Sequence, residues 1–334
     1  MALVLTDADV RQCITMADAI GAVEEACRQQ AAGQASYAER LVYRVPRGWM
    51  RLMPAALYES GILGYKEFHL LDPAGTGRET RTVRYAVHLF DYASGALLAM
   101  MDANYLTAIR TGAAAGVGLK YLAPPEATTL GIIGSGAEAR TEIEAVAAVR
   151  PLRRAWVYSR SPERRERFAR EMGEQLGVEV TPVDRPEAAI DGVEILVAAT
   201  ATGPDGPALF GRWLRRGLHV NSIGSTLADQ REIDPDVWRV ADRIVVDTHK
   251  VLHESGDGIA AMAERAIDEA KVAELHDVVA GKAPGRTRPD ETTLYKSVGT
   301  ALQDVAVAYR IYQQARARGL GRELEDYQSV KRPD

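Results

Sequence analysis

Thr129-Leu130-Gly131-Ile132-Ile133-Gly134-Ser135-Gly136-Ala137-Glu138-Ala139 decides the fold of this chain. An apolar run enters Gly-x-Gly-x-x-Ala and continues into helix-forming sequence, the order of a phosphate-binding turn in a dinucleotide fold. Gly134 permits the tight turn, Gly136 lets a pyrophosphate approach the backbone, and Ala139 keeps the helix close to the sheet. The helix N-terminus offers free N–H groups and a partial positive charge. Gly134, Ser135, Gly136, Ala137 and Glu138 are therefore the expected cofactor-binding residues of the turn.

Downstream, strand and helix patterns alternate. Strands are expected at Ala155–Ser159, Val178–Val183, Glu194–Thr200, Leu218–Ile223 and Arg243–Asp247. Pro162 to Gln175 reads as a helix with Ser161 as N-cap and Pro162 in its first turn. Such alternation implies right-handed crossovers and a parallel sheet, with ligands at the carboxyl ends of its strands. Leu294 to Arg318 reads as one long amphipathic helix.

The tip of the second strand bears on the choice of cofactor. An acid there would accept hydrogen bonds from a ribose 2′-hydroxyl and repel a 2′-phosphate. The chain instead has Tyr158-Ser159-Arg160-Ser161. Arg160 is suited to stack on adenine and pair with a phosphate, and Ser159 and Ser161 to donate to it. NADP(H) is the favoured cofactor, with NAD(H) as the alternative.

Upstream of the glycine turn the pattern differs. Thr15 stands at capping-box spacing from Asp18, ahead of a helix from Ile20 to Gln29. Leu41–Val45, Gly64–Phe68 and Tyr85–Phe90 alternate as strands, and Asp91 to Gly95 reads as a hairpin turn. This part is expected to be an α+β unit with an antiparallel sheet. Asn104 to Tyr121 is an Ala- and Gly-rich helix, and Pro124-Pro125 punctuates the chain before the glycine turn.

With 334 residues, 46% apolar and 26% charged, the chain has the composition of a globular protein large enough for two domains. A net charge of −5 argues against a nucleic-acid binder. The arginines from 160 to 170 alternate with glutamates and read as a solvated helix face. Cys13 and Cys27 have neither a Cys-x-x-Cys partner nor a histidine at metal spacing. Buried free thiols are expected, which suits a reducing cytoplasm. No signal peptide, membrane span or metal site is expected.

Further motifs stand in a fixed order along the chain. They are Met53-Pro54-Ala55, Gly64-Tyr65-Lys66, Leu106-Thr107-Ala108-Ile109-Arg110-Thr111, Asn221-Ser222-Ile223-Gly224, Arg231-Glu232-Ile233-Asp234 and Tyr295-Lys296-Ser297-Val298-Gly299. Together with the glycine turn they resemble the ornithine cyclodeaminase/mu-crystallin family over nearly the whole chain. The resemblance implies an α/β fold: a Rossmann-type, doubly wound parallel sheet (119–302) inserted into an α+β substrate-binding and dimerisation domain (1–118 plus 303–334). It also implies a homodimer, and chemistry at the α-carbon of a small amino or imino acid. By motif match, Lys66 corresponds to the active-site lysine, and Arg110 and Arg40 to the carboxylate-binding arginines, Arg44 being a close competitor of Arg40. Thr82 resembles a threonine near cofactor and substrate. Thr111 and Ser297, within the matched motifs, join the expected cofactor residues.

Physical chemistry makes the trio reasonable in its own right. A carboxylate must be held while hydride adds to the neighbouring carbon, and a guanidinium fork fixes both its charge and its plane. Like charge should depress the pKa of a lysine beside two arginines, fitting it for proton exchange near neutrality.

Two positions depart from the cyclodeaminase pattern. Where those enzymes carry an aspartate for the substrate amines, this chain has Thr226, with Asp229 out of register. Where they direct a glutamate at the distal amine, it has Arg51. The first expectation is therefore an NAD(P)H-dependent reductase of an α-imino acid, of ketimine or pyrroline/piperideine-2-carboxylate type, with amino-acid dehydrogenation as its reverse. Thr226 would shape the pocket or bond the nitrogen. The alternatives are a cyclodeaminase-type lyase using NAD as an internal redox cofactor, and a non-catalytic binder of NADPH and a small carboxylate.

Overall fold

The computed structural model describes residues 2–72, 82–203, 206–325 and 327–329. The chain forms two compact units, Met1–Arg110 with Thr300–Asp334, and Thr111–Gly299.

The first unit opens with β1 (Ala2–Leu5), α1 (Asp7–Gln12) and α2 (Met16–Ala31). Thr15 caps α2 by accepting from the Asp18 amide, so the helix begins four residues before the expected Ile20. Five strands follow: β2 (Ala35–Tyr37), β3 (Leu41–Val45), β4 (Gly48–Leu57), β5 (Ile62–Leu71) and β6 (Thr82–Asp91). The Asp91 carboxylate accepts from the Ser94 amide and hydroxyl, closing the expected turn into β7 (Leu97–Asp102). Helix α3 (Asn104–Leu122) then leads into the second unit.

That unit is built from β8 (Thr129–Ile133), α4 (Ala137–Val149), β9 (Arg154–Tyr158), α5 (Pro162–Leu176), β10 (Glu179–Pro182), α6 (Pro186–Ile190), β11 (Ile195–Ala198) and β12 (His219–Ser222). It continues with α7 (Pro235–Val240), β13 (Arg243–Val246), α8 (Val251–Glu254), α9 (Gly256–Ala263), β14 (Val272–Glu274), α10 (Leu275–Val279) and β15 (Thr293–Lys296). The chain returns to the first unit in α11 (Ala301–Arg318) and β16 (Arg322–Leu324).

In the first unit the sheet order is β16-β1-β7-β6-β5-β4-β2, with β3 also on β4. The ladder from β2 to β7 is antiparallel, as the alternating pattern implied. Helix α11 packs against α2 and lies over β4, β5 and β6. It buries Val305, Ala308 and Ile311.

The second unit has a parallel sheet of order β10-β9-β8-β11-β12-β15-β13-β14, a doubly wound Rossmann arrangement. Its apolar core forms two clusters. One gathers Ile143, Val146, Phe168 and Met172 from α4 and α5, and the other gathers Val237, Trp238 and Ala261 from α7 and α9. Ser161 caps α5 with Pro162 in its first turn, as expected. No described helix is long and apolar enough to cross a membrane. Both cysteines are free and buried.

One element differs from the sequence expectation. Residues 294–318 do not form a single helix, because Thr293–Lys296 is a strand between β12 and β13. All four of its residues are buried. A strand covered on both faces loses the period-two alternation and reads like a buried helical segment. The helix starts only at Ala301, where Thr300 and Gln303 make a capping box.

Candidate active site

In the first unit, three elements converge on one buried carboxylate. Lys66 lies on β5, paired with Met53 of β4 and Val87 of β6. Gly64, two residues earlier on the same sheet face, allows α11 to approach. A Cβ there would stand 2.7 Å from the His88 carbonyl oxygen and 3.2 Å from Val305 Cγ2. The approach brings the first turn of α11 onto Lys66. Lys66 Nζ donates to Asp304 Oδ1 at 2.8 Å. Arg110 Nε lies 2.9 Å from the same oxygen, and Arg110 Nη1 donates to Gln303 Oε1 at 3.1 Å. Lys66 is 2% exposed, Arg110 7% and Asp304 fully buried. Tyr85 of β6 offers its ring 5.8 Å from Lys66 Nζ.

Burial is the largest cause pushing the Lys66 ammonium down, to a pKa of about 8; Asp304 opposes it, and Arg110 and Arg40 add to it. The direction is the expected one, but desolvation outweighs the like charges that were to produce it. Arg40, half-buried just before β3, thus belongs to the charge environment of Lys66. Arg44 is exposed and pairs with Trp49 across the β3–β4 ladder. Arg51 holds its guanidinium 4.7 Å from the Trp49 ring centroid and 5.9 Å from that of Phe68. Among the described residues, Lys66 and Arg110 share the one Asp304 oxygen, an arrangement of cations suited to gripping a small acid.

The second unit carries the glycine turn. Gly134 has φ 120°, and a Cβ there would stand 2.2 Å from the Ala199 carbonyl oxygen, so the fold itself requires glycine. Gly136 differs, because a Cβ there would meet nothing within 4 Å. It is exposed and forms the N-cap of α4 without a side-chain cap. Open space at the N-terminus of α4 is a cradle that fits a pyrophosphate and that a side chain would fill. At the tip of β9, Ser135 Oγ donates to Ser159 Oγ at 2.9 Å, and Ser159 Oγ donates to the Ser161 carbonyl at 3.2 Å. The Ser161 hydroxyl accepts from the Arg164 amide as N-cap. Arg160 is exposed between them, and no acid stands among residues 158–161. Ala137 is exposed and Glu138 half-buried in the first turn of α4.

The remaining candidates stand on separate elements. Thr111 follows Arg110 on α3 and is buried. Thr226 is half-buried beyond β12, with its amide donating to Gln230 Oε1 at 3.1 Å. The Ser297 hydroxyl donates to Asp247 at 2.7 Å, in a turn where Asp247 also accepts from the Val298 and Gly299 amides. Thr82 pairs with Leu71, five residue pairs along the ladder from Lys66 and on the opposite sheet face. Within one chain, therefore, the structure does not bring Thr82 to Lys66.

Sequence reasoning missed Asp304, which meets Lys66 and Arg110, and Gln303, which meets Arg110. It also assigned no role to a buried ionic cluster beyond β12. Lys296 Nζ lies 2.9 Å from Asp257 Oδ2 and donates to Ser222 Oγ at 3.1 Å. Glu232 accepts from Ser222 Oγ, the Gly224 amide and the amide and hydroxyl of Thr200. These bonds fix the loops that leave β11 and β12. The available signal was a lysine inside a buried strand, since lone buried charges require partners.

The family model of the ornithine cyclodeaminase/mu-crystallin family matches residues 1–319. A Δ1-pyrroline-2-carboxylate reductase of Bacillus cereus is 35% identical over 248 residues, 73% of this chain and 75% of the relative. The Δ1-pyrroline-2-carboxylate reductase of Thermococcus litoralis, solved with NADH and L-proline, is 38% identical with a TM-score of 0.90, covering 96% of this chain and 100% of its own. An archaeal alanine dehydrogenase dimer with bound NAD is 31% identical with a TM-score of 0.88, covering 98% and 99%. The family model and the solved folds span almost the full length and the sequence relative nearly three quarters of it, and the chain belongs to the ornithine cyclodeaminase/mu-crystallin family.

Proposed function

We propose that this chain is an NAD(P)H-dependent reductase of an α-imino acid, of ketimine or pyrroline/piperideine-2-carboxylate type, with amino-acid dehydrogenation as the reverse reaction. The observation that carries this reading is the buried site in which Lys66 and Arg110 converge on one oxygen of Asp304, with Arg40 adding its charge to the field on Lys66. A reduced nicotinamide, when bound, supplies the hydride to the C=N carbon. Arg110 and Arg40 hold the substrate carboxylate and its plane. Lys66 delivers the proton that the nitrogen takes up as the double bond becomes a single bond. With a pKa of about 8 it is charged at neutral pH yet gives up its proton readily. Thr226, which cannot act as a carboxylate base, shapes the pocket or bonds the nitrogen. The relatives that reduce pyrroline-2-carboxylate support the same reading.

The Gly134–Glu138 turn is the proposed phosphate site, with Thr111, Ser297 and Thr82 as further cofactor residues by family match. Thr82 has the least geometric support. We favour NADP(H), because Arg160, Ser159 and Ser161 stand at the β9 tip where an acid would repel the 2′-phosphate. The solved relatives carry NADH or NAD, so equal affinity for both cofactors would remove this preference. The assembly proposed is a homodimer. All five residues of β3 are exposed, including Leu41 at 59% and Tyr43 at 66%, which leaves an apolar edge strand that a second copy would cover.

One assay tests the reaction. The protein is mixed with NADPH or NADH and a panel of cyclic and open-chain imino acids, and the absorbance of the reduced nicotinamide is followed. Net consumption is expected. Ammonia release from ornithine without net cofactor change would instead indicate the lyase, and tight binding with neither would indicate the binder.

A further inference from the structure

We propose that Asp304 is a positioning residue that clamps Lys66 and Arg110 to a common point and sets the charge the pocket carries when the imino acid arrives. The inference rests on the reductase reading for its kinetic readout only. Asp304 is the fourth residue of α11, directly after the capping-box residue Gln303. A single oxygen, Oδ1, takes Lys66 Nζ at 2.8 Å and faces Arg110 Nε at 2.9 Å, while Gln303 holds the other arm of the same guanidinium. Two adjacent residues of one rigid helical turn therefore fix the spacing of both cations. All three charged groups are nine-tenths buried or more, so each is held at low dielectric, where one missing charge matters most.

Among the described residues, the charged and aromatic groups around Lys66 come from four neighbouring elements, and Arg51 of β4 lies one residue pair further along the same sheet face. Asp304 comes from α11, Arg110 from α3, Arg40 from the segment before β3, and the Tyr85 ring from β6. Glu67 follows on β5 and points to the opposite face of the sheet. Asp304 is thus the anion that keeps a proton on Lys66 against burial and two guanidinium groups. An imine must receive a proton as it receives hydride. A lysine already neutral at physiological pH would lack that proton, while the arginines still bound the carboxylate. KM and kcat therefore report on different halves of the clamp.

The test compares Asp304→Asn and Asp304→Glu with the wild type across pH, using NADPH and Δ1-pyrroline-2-carboxylate. Asn keeps an acceptor oxygen but removes the charge. Its alkaline limb of kcat is expected to move down by a pH unit or more, so that kcat falls at least about fivefold at pH 8 and recovers at pH 6. Glu keeps the charge but displaces it by one methylene. Its alkaline limb is expected within about half a unit of wild type, with kcat lowered severalfold. An unmoved limb in Asn, or a limb displaced in Glu as far as in Asn, would overturn the proposal. So would wild-type kcat in Glu. If Asn does not fold, the Glu profile still decides. The Lys66 ε-carbon resonance, assigned with Lys66→Arg and titrated without substrate, reports the same ionisation in each variant. A downward shift there, with no imine reduced by the wild type, would reject the reaction and keep the positioning role.

Discussion

Lys66 shows how one side chain links burial, charge and stability. Its pKa falls from 10.5 to about 8 in the folded chain. Between those values the unfolded state binds the proton and the folded state does not, so stability rises with pH from about 8 to about 10.5 and is lost again as pH falls through 8. A shift of that size corresponds to about 3 kcal/mol. Urea unfolding of the wild type without ligand should become more favourable to the native state from pH 8 to pH 10, relative to Lys66→Met. Parallel pH dependence in the two proteins would contradict the burial of an ionisable amine at this position. Replacing Lys66 by Ala should reduce kcat by about 100-fold or more if it delivers the proton. NADPH affinity should stay within about twofold, because the glycine turn belongs to the other compact unit. Loss of both together would argue against the assigned role.

At the scale of elements, the β8–α4 turn separates what the fold needs from what a ligand needs. Gly134 is pinned by its own backbone and by the Ala199 carbonyl, and Gly136 faces open space. Gly134→Ala should destabilise the protein by about 1–3 kcal/mol through strain at positive φ, with the clash adding to it. Gly136→Ala should leave the thermal midpoint almost unchanged while weakening dinucleotide binding about tenfold or more, as measured by calorimetry. A Gly136→Ala protein with wild-type affinity would show that no phosphate approaches this backbone. The 293–318 stretch teaches the complementary lesson. Thr293–Lys296 is a strand because β12 and β13 lie on either side of it, a fact that its own composition does not record.

For the whole molecule, the exposed apolar face of β3 carries the expectation of a dimer. Introducing Leu41→Glu with Tyr43→Glu places charge on an edge strand that the fold of a single chain leaves uncovered. The variant should run as a monomer in light scattering coupled to size exclusion, with its unfolding otherwise cooperative. A variant that remains dimeric would move the interface elsewhere.

The sequence by itself determined the glycine turn, the alternation of strand and helix after it, the caps at Thr15 and Ser161, and the motifs that carry Lys66 and Arg110. These are local signals, set by backbone conformation and by neighbours within a few residues. Tertiary structure decided the rest. Asp304 lies 238 residues from Lys66, and in the sequence it is one acid in a helical stretch, indistinguishable from a solvated charge. Only the packing of α11 against β5 beside Gly64 makes it the shared partner of two buried cations. Thr82 makes a related point: its motif says nothing of strand register, which within one chain sets it on the sheet face opposite Lys66. Spacing along a chain fixes local conformation, whereas the meeting of distant charges depends on which faces pack together.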